Sequence, residues 1–193
     1  MTKKIQLAIL LVWVHAAFLN CITSEIRWTT VNTNAPLNGK FQINYQVTDA
    51  QQSLAAKILS VKLKQIGFTE TKGKPDYYFN LTSLVFPRGN IKHIMANAIG
   101  NNMVMMNSSS SPRYTKSLNI TINDKNKTVL WTGSALEEEA QCGELNAVMP
   151  EIITALFENY PKDQMNKNRF FYLGDSEVAK IKKEFPDASW GCY

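Results

Sequence analysis

The sequence predicts a two-layer α+β domain, in which two main amphipathic helices cover one face of a mostly antiparallel sheet. Two long segments carry apolar residues at helical spacing, and five shorter segments alternate apolar with polar residues. The chain has 193 residues, of which 45% are hydrophobic and 19% are charged. This composition excludes a globally disordered chain and suits one globular domain.

Five segments are predicted to be strands because their apolar residues recur at every second position. The third of them is expected to end at Pro87–Asn90, where Pro and Gly interrupt the alternation. The last two are expected to form a hairpin around the turn Asn123–Asn126. The five segments are residues 25–31, 41–46, 77–85, 118–122 and 129–131.

The first helix is predicted over residues 49–66. Asp49 can accept hydrogen bonds from the first turn, and Gln52 stands at the spacing of a capping box. Gly67 can adopt the positive φ that ends many helices, and the apolar Phe68 follows it.

Two further helices are predicted in the second half of the chain. Apolar residues recur at helical spacing over 145–160, with Pro150 inside the pattern. The regular helix therefore either begins near Pro150 or kinks there, and Pro161 ends it. A short helix is predicted over 176–185, capped by Asp175 or Ser176.

Residues 1–24 resemble an export signal, with Lys3 and Lys4 before an apolar run over 5–19. This run is short for a span of about 30 Å of hydrocarbon. Export predicts a location in the periplasm or at the outer membrane, either facing the periplasm or at the surface. Four fates of the segment stay open: cleavage after Ala16, cleavage after Ser24, lipidation of Cys21 behind Asn20, or an uncleaved anchor helix.

The three cysteines predict one disulfide in an exported chain. If Cys21 is lipidated or removed, Cys142 and Cys192 remain, and an oxidising compartment favours their pairing. The bridge would close a loop of about fifty residues and stabilise the fold by about 4 kcal/mol in the chain-entropy description. It would join the main domain, residues 25–162, to a C-terminal tail with one short helix, residues 163–193.

Residues 88–113 are predicted to be an insertion in the main domain. The segment is apolar and rich in Met, and Ser108–Ser111 follow as an expected hinge. Unbranched Met side chains suit adaptable contacts with a partner protein or with lipid. An alternative is that residues 91–99 form a short helix packed on the core. The candidate contact residues are Ile94, Met95, Ile99, Met103, Met105 and Met106.

Recognisable motifs for catalysis, cofactors or metals are missing from the sequence. His93 is the single His beyond the leader, and neither a Cys-x-x-Cys pair nor a Gly-x-Ser-x-Gly elbow occurs. We therefore predict no catalytic residue, no cofactor and no metal ligand. Removal of residues 1–20 takes away Lys3 and Lys4 and lowers the formal charge from +5 to +3, which does not indicate nucleic-acid binding.

Carboxylates concentrate at Glu137–Glu139, and Glu144 follows closely. One interpretation is a cluster that binds a cation or performs general acid–base chemistry. The other is a set of acidic residues placed at the N-terminus of the second helix, where the helix dipole stabilises them. We favour the second interpretation.

Several short motifs follow one another along residues 21–162. They are Leu63–Phe68 at the end of a helix, Lys74–Asp76 before a strand, Thr128–Ala135 in the hairpin, and Leu156–Pro161 at the end of the second helix. Together they resemble the bacterial envelope lipoproteins grouped as domain of unknown function 4136. The resemblance implies an exported, membrane-tethered α+β domain, and no catalytic residues are established for the family. The chain departs from the family pattern at Asn20, in 88–116 and after Pro161.

Three of the shared positions have folding roles that can be predicted. Gly67 supplies a positive φ at the helix end. Trp131 is a large apolar anchor for the sheet face beneath the helices, and Gly133 permits a bulge or a close approach of a helix. These roles predict a fold rather than an activity.

We expect a non-enzymatic interaction or assembly module of the cell envelope, with a lipid anchor at Cys21 and an envelope protein as a partner. A second hypothesis is a periplasmic carrier that shields a lipid or another apolar ligand, which requires an apolar cavity. A third is an enzyme that uses the carboxylates of residues 137–144, which requires a cleft with raised carboxyl pKa values.

Overall fold

The computed structural model describes residues 22–99, 103–140, 142–188 and 190. Within these residues the chain is α+β, with three α-helices and one seven-stranded mixed sheet. The strands are β1 (Ile22–Asn32), β2 (Gly39–Asn44), β3 (Phe68–Glu70), β4 (Tyr77–Ile99), β5 (Met103–Asp124), β6 (Val129–Ala140) and β7 (Gln164–Tyr172). The helices are α1 (Ala50–Gln65), α2 (Met149–Leu156) and α3 (Ser176–Lys183).

The sheet has the strand order β3-β2-β4-β5-β6-β1-β7. β2 is parallel to both of its neighbours, and the remaining adjacent pairs are antiparallel. Parallel neighbours require a crossover connection, and α1 supplies it between β2 and β3. The expectation of a mostly antiparallel sheet is confirmed, whereas β3 and β7 are not among the predicted strands.

The first helix has the predicted cap. Asp49 Oδ1 accepts hydrogen bonds from the backbone N–H groups of Gln51 at 2.8 Å and Gln52 at 3.2 Å. The Gln52 side chain does not complete a capping box, because its Oε1 accepts a hydrogen bond from the backbone N–H of Gln46 at 3.0 Å. Gly67 follows the helix with φ of +103°, as predicted.

We expect Gly67→Ala to lower the free energy of unfolding by at least about 1 kcal/mol, because Ala is strained at positive φ. Steric overlap does not contribute to this loss, since the nearest atom to an added Cβ is the Leu37 carbonyl oxygen at 3.9 Å. Gly73→Ala is the matched control, because Gly73 has an ordinary φ and its nearest neighbour lies at 3.6 Å. Urea unfolding of both variants measures the difference. Equal stabilities would contradict this role of Gly67.

The second helix begins at its proline. Leu145–Ala147 form a 3₁₀ turn, and the regular helix α2 starts at Met149 with Pro150 in its first turn. Of the two predicted alternatives, a start near Pro150 is therefore the correct one. The third helix is capped as predicted, because Asp175 Oδ1 accepts hydrogen bonds from the backbone N–H groups of Glu177 and Val178.

The core joins the helices to the middle of the sheet. α2 contacts β1, β6, α1 and α3, and α1 contacts β3 and β4. Ile58 of α1 and Ile152 of α2 are fully buried. The fully buried strand residues include Ile26, Phe41, Phe79, Leu118, Ile120, Ile122 and Trp131.

Trp131 and Gly133 have the predicted roles. The Trp131 ring is fully buried and stacks on Phe157 with ring centroids 5.5 Å apart, and Tyr160 meets it edge-on at 5.6 Å. A Cβ at Gly133 would overlap the Trp131 ring and lie 3.0 Å from Leu156 Cδ2. Glycine at this position therefore allows the indole to lie flat against β6 under α2.

The predicted insertion is part of a long hairpin. β4 and β5 pair in antiparallel fashion from Tyr77 with Asp124 to Ile99 with Met103, so residues 88–99 and 103–113 are continuous with the sheet. The expected strand end at Pro87–Asn90 is wrong, because β4 continues through it: Pro87 is paired with Tyr114 and Gly89 with Arg113, with a register shift between the two pairs. The alternative of a short helix over 91–99 is also wrong, and Ser108–Ser111 lie in β5.

The predicted tail contributes to the same fold. β7 forms the edge of the sheet against β1, with Ile22 opposite Tyr172. Phe171 of β7 and Val178 and Ile181 of α3 are buried in the core. The region after Pro161 is thus built into the domain, rather than being a tail with a helix alone.

The predicted signal lies outside the described residues, except for its last three. β1 begins at Ile22, so residues 22–24 belong to the sheet. Cys21 and Cys192 are not described, and lipidation of the first and pairing of the second with Cys142 stay predictions. None of the described helices is both long and apolar enough to cross a membrane.

Candidate functional site

The predicted carboxylate run lies in a strand. Glu137–Glu139 belong to β6, ten or more residues before α2 begins at Met149, so their interpretation as an acidic helix N-terminus is wrong. Strand alternation separates the first two, since the Glu137 side chain is 12% exposed and the Glu138 side chain is 30% exposed. Glu138 accepts hydrogen bonds from Arg27 at 3.0 Å and from Arg88 at 3.3 Å.

Glu137 belongs to a group of four charged side chains that we call the buried ion cluster: Lys116, Glu137, Glu151 and Lys182. Lys116 is directly opposite Glu137 in the β5–β6 register, and its Nζ lies 3.2 Å from Glu137 Oε2. Lys182 of α3 donates a hydrogen bond from Nζ to Glu151 Oε1 of α2 at 2.8 Å. The cluster thus connects the sheet to both C-terminal helices.

Burial shifts the protonation of Glu137 within the cluster. Desolvation raises the pKa of Glu137 above its ordinary value of 4.5, and the charge of Glu151 raises it further. The nearby Lys116 ammonium lowers the same pKa, but it does not cancel the effect of burial. Lys116 Nζ also lies 3.8 Å from Cys142 Sγ. The carboxyl groups of Glu137 and Glu151 thus lie close enough to affect one another, and each is paired with a lysine, Lys116 or Lys182.

A cleft of about 580 Å³ opens beside the cluster. Glu151 Oε2 is buried there and has no hydrogen-bond partner. The other groups around the cleft come from the start of β1, from β5 and β6, and from the C-terminal region. They include Ser24, Glu25, Arg113, Leu173 and Trp190. The arrangement provides charged and hydrogen-bonding groups beside apolar ones such as Val148 and Leu173.

A metal centre has no counterpart in the described chain. Among residues 22–99, 103–140, 142–188 and 190, no group of three or more His, Cys, Asp and Glu side chains is placed to hold a metal ion. The acidic members of the buried ion cluster face lysines instead.

The second candidate site is the outer part of the β4–β5 hairpin, residues 88–99 and 103–113, which we call the ribbon. β2 pairs with β4 only up to Asn80, and β6 pairs with β5 only as far as Tyr114. Beyond these positions β4 and β5 pair with each other, and within the described residues neither has a second partner strand. Three pairs near its outer end join apolar residues, Ala96 with Met106, Ala98 with Val104 and Ile99 with Met103. By contrast, Ile94, Met95 and Met105 are opposite Ser108, Asn107 and Asn97.

The candidate contact residues all fall in this ribbon. The structure places Ile94, Met95 and Ile99 on β4 and Met103, Met105 and Met106 on β5. It thereby brings two separate stretches of the sequence side by side. A two-stranded ribbon is marginally stable alone in water, so an apolar one suits a bound surface.

The cleft and the ribbon share one end of the sheet with the start of β1. Antiparallel pairing places Ile22, the C-terminal end of β6 and the base of the ribbon at that end. Tyr172 of β7 is opposite Ile22 there. We call this the Ile22 end of the sheet.

Three members of the buried ion cluster are not among the residues predicted from the sequence: Lys116, Glu151 and Lys182. Lys116 has a signal in the sequence, because it has the same strand parity as the apolar Leu118 and Ile120. Glu151 lies directly before Ile152 in an apolar helix, and its partner Lys182 comes from α3. Only the packing of α2 against α3 shows that second pair.

The chain matches one protein family, and its fold is similar to that of a solved structure with low sequence identity. No curated protein matches the chain at a significant level. A PDZ domain protein from Parabacteroides distasonis is 16% identical, with a TM-score of 0.53 over 76% of this chain and 39% of that chain. This chain thus spans well under half of that protein. The PelC dodecamer from Paraburkholderia phytofirmans is 12% identical, with a TM-score of 0.34 over 67% of this chain and 94% of that chain.

A family model also matches the chain. It covers residues 27–162, from the first strand to the proline that follows α2. It includes Trp131 and Gly133, whose packing is described above. The chain belongs to the family described as Domain of unknown function (DUF4136).

Proposed function

We propose that this protein is an exported, membrane-tethered module of the cell envelope that acts by binding rather than by catalysis. The observation that carries the proposal is the shared end of the sheet. β1 begins at Ile22, directly after Cys21, and the ribbon leaves the sheet at that same end. A lipid on Cys21 would therefore hold the ribbon close to the membrane, because adjacent Cα atoms are about 3.8 Å apart.

The tether is supported by the start of the first strand. Cleavage after Ser24 would remove Ile22, Thr23 and Ser24, although Ile22 and Ser24 pair with β7 and Thr23 donates a hydrogen bond to the Phe171 carbonyl oxygen at 3.2 Å. Cleavage before Cys21 keeps all of β1 in the mature chain. A mature N-terminus at a lipidated Cys21 thus agrees with the fold.

Two further structural features belong to this proposal: the arrangement of the helices on the sheet and a disulfide. We infer that α1 and α2 form one layer on a single face of the sheet, supported by their contacts with β4, β1 and β6 and by the shared core. We infer also that Cys142 and Cys192 are paired, since an oxidising compartment favours disulfides. The pair would fix the C-terminus beside the cleft.

The other two hypotheses have less support. A carrier of an apolar ligand would use an apolar cavity, and the cleft is lined by Glu25, Lys116, Glu138 and other charged residues. An enzyme would use a carboxyl group with a raised pKa in a cleft, as Glu137 has. However, raised pKa values also accompany structural ion pairs, and Glu137 faces Lys116 in such a pair.

Mass spectrometry of the mature protein, purified from membranes, tests the tether. We expect a chain that begins at Cys21, carries acyl groups on that residue, and has one disulfide between Cys142 and Cys192. Acyl chains contribute about 0.8 kcal/mol per buried methylene, so several of them hold a protein at a membrane. An unmodified chain that begins at Met1 would overturn the proposal.

Fractionation of cells that produce Cys21→Ser provides the matched control. We expect the wild-type protein in the membrane fraction after a wash with high salt, and we expect the variant to lose acylation and that retention. Equal retention and equal mass at the N-terminus would show that Cys21 is not the anchor.

A further inference from the structure

We propose that a cleft at the β2–β3 edge of the sheet binds a segment of a partner protein that carries acidic and apolar side chains. This inference rests on the proposed function, because a module that acts by binding requires a partner surface. The cleft has a volume of about 530 Å³, and its walls come from α1, β2 and β3 together with Phe185, which follows α3. We call it the lysine cleft, after Lys57, Lys64 and Lys72 in its walls.

The lysine cleft is positively charged. Lys57 and Lys64 lie seven residues apart on one side of α1, which is about two turns, and Lys72 follows β3. Among the described residues that line the cleft, Glu70 is the single acid, so three lysines and one carboxylate give a formal charge of +2. The surrounding residues 57–74 contain five Lys and one acid, a net charge of +4, whereas residues 21–193 together carry +3. The positive charge of the chain is thus concentrated around this cleft.

Contacts within the protein neutralise part of this charge. Lys64 Nζ lies 2.6 Å from Glu70 Oε2, and this contact holds the pKa of Glu70 below its ordinary value of 4.5. Ser60 donates a hydrogen bond to the same carboxylate at 2.9 Å. Lys57 and Lys72 are exposed, and neither belongs to an ion pair among the described residues. Two ammonium groups of the cleft therefore remain for the carboxylates of a partner.

Apolar side chains line the same cleft. Val61 is on the same side of α1 as Lys57, four residues further along. Ile43, Tyr45 and Phe185 also line the cleft, and all three are partly buried against the core. An apolar centre with a charged rim is the usual anatomy of an interface between proteins. The concave shape suits a protruding segment of a partner better than the flat surface of a bilayer.

The lysine cleft lies away from the strand that would carry the tether. β4, β5 and β6 separate β2 from β1 in the sheet. Adjacent strands are about 4.8 Å apart, so β2 lies about 19 Å across the sheet from the strand that follows Cys21. A partner can therefore bind the cleft at one edge while a lipid on Cys21 holds the other side of the domain.

The retention of peptide libraries on the immobilised full-length protein tests this inference. One library of short random peptides contains Asp, Glu, Leu and Phe, a second has Asn and Gln in place of the acids, and a third has Ala in place of Leu and Phe. The double variant Lys57→Gln with Lys72→Gln removes the two ammonium groups that have no ion pair. Lys125→Gln with Lys167→Gln is the matched control, because both lysines are exposed and lie outside the cleft.

We expect the wild-type and control proteins to retain the first library at least about fivefold more than either of the others, as two or more exposed ion pairs and an apolar contact would give. The cleft variant should lose the preference for acidic peptides while its urea unfolding is unchanged. Equal retention by the two double variants would overturn the inference. Retention of the third library as strong as that of the first would also overturn it, because the apolar centre would then have no role.

A bilayer is tested as the alternative occupant. Cys21→Ser and the same chain with the cleft substitutions are sedimented with vesicles of phosphatidylethanolamine and phosphatidylglycerol. Vesicle binding that depends on Lys57 and Lys72, without retention of the acidic library, would make lipid headgroups the occupant and overturn the inference. Each of these results leaves the tether intact, whereas a mature chain without acyl groups on Cys21 would refute the tether and leave the peptide result intact.

Discussion

Trp131→Ala is expected to lower the free energy of unfolding by about 3–5 kcal/mol, the usual cost of deleting a buried aromatic ring. The indole lies in the centre of the core, stacked on Phe157 and met edge-on by Tyr160. It also covers Gly133, which has no side chain to fill the space that the ring would leave. The surrounding groups cannot collapse into such a cavity without moving α2.

Urea unfolding followed by circular dichroism measures this effect. Val129→Ala in the same strand is the control, because Val129 is exposed, and we expect it to change the stability by less than about 0.5 kcal/mol. Trp131→Phe is expected to be intermediate, since it keeps a ring and removes the buried Nε1 that has no hydrogen-bond partner. Similar losses for Trp131→Ala and Val129→Ala would show that the packing of α2 does not depend on the indole.

The sequence predicts those elements whose signals are local. The helical period and the Asp49 cap define α1, and the turn after Asn123 defines the β5–β6 hairpin. The same period places the apolar stripe of α2 but cannot fix its start, which Pro150 decides. Such signals depend on neighbours a few residues apart, so they survive without tertiary information.

The missed elements depend on tertiary pairing. Pro87 and Gly89 predict a turn, but within the described residues the outer edge of β4 has no partner strand there, and a strand edge tolerates proline. Gly89 has a φ of +122°, which suits the register shift. β7 is an edge strand with few buried residues, and β3 has only three residues, so neither shows clear alternation.

Two of the four members of the buried ion cluster could also be predicted from the sequence. Lys116 and Glu137 each continue a buried strand face, and correct pairing of β5 with β6 puts them opposite one another. An opposite-charge pair at matching inward positions is a testable signal of a cross-strand ion pair. Glu151 and Lys182 come from different helices, and no local pattern connects them.

Lys116→Met is expected to lower the free energy of unfolding by about 3–5 kcal/mol at neutral pH, because it leaves the buried Glu137 without its nearest cation. The double variant Lys116→Met with Glu137→Leu should recover most of that loss, since a buried ion pair and an apolar pair of similar size are often equally stable. Urea unfolding of Lys116→Met, of Glu137→Leu and of the double variant gives the coupling free energy between the two side chains. Lys167→Met, at an exposed position on β7, is the control.

The loss in Lys116→Met is also expected to depend on pH. Burial already holds the pKa of Glu137 above 4.5, and removal of Lys116 takes away the main group that lowers it. A raised pKa in the folded state means that the folded chain binds the proton more tightly than the unfolded chain. The tighter proton binding therefore stabilises the folded chain fully below the ordinary pKa of 4.5. This stabilisation is lost as the pH rises through the raised pKa of the folded state.

Unfolding measured across this range tests the sign directly. Lys116→Met should approach the wild-type stability in acid and fall away from it towards neutral pH, whereas the double variant, which has no titrating group at position 137, should lose this pH dependence. A loss that is equal at every pH would show that Lys116 stabilises the core through its methylene chain alone. Glu151 continues to raise the pKa of Glu137 in Lys116→Met, because Glu151 keeps its own partner Lys182 and its charge still acts on Glu137.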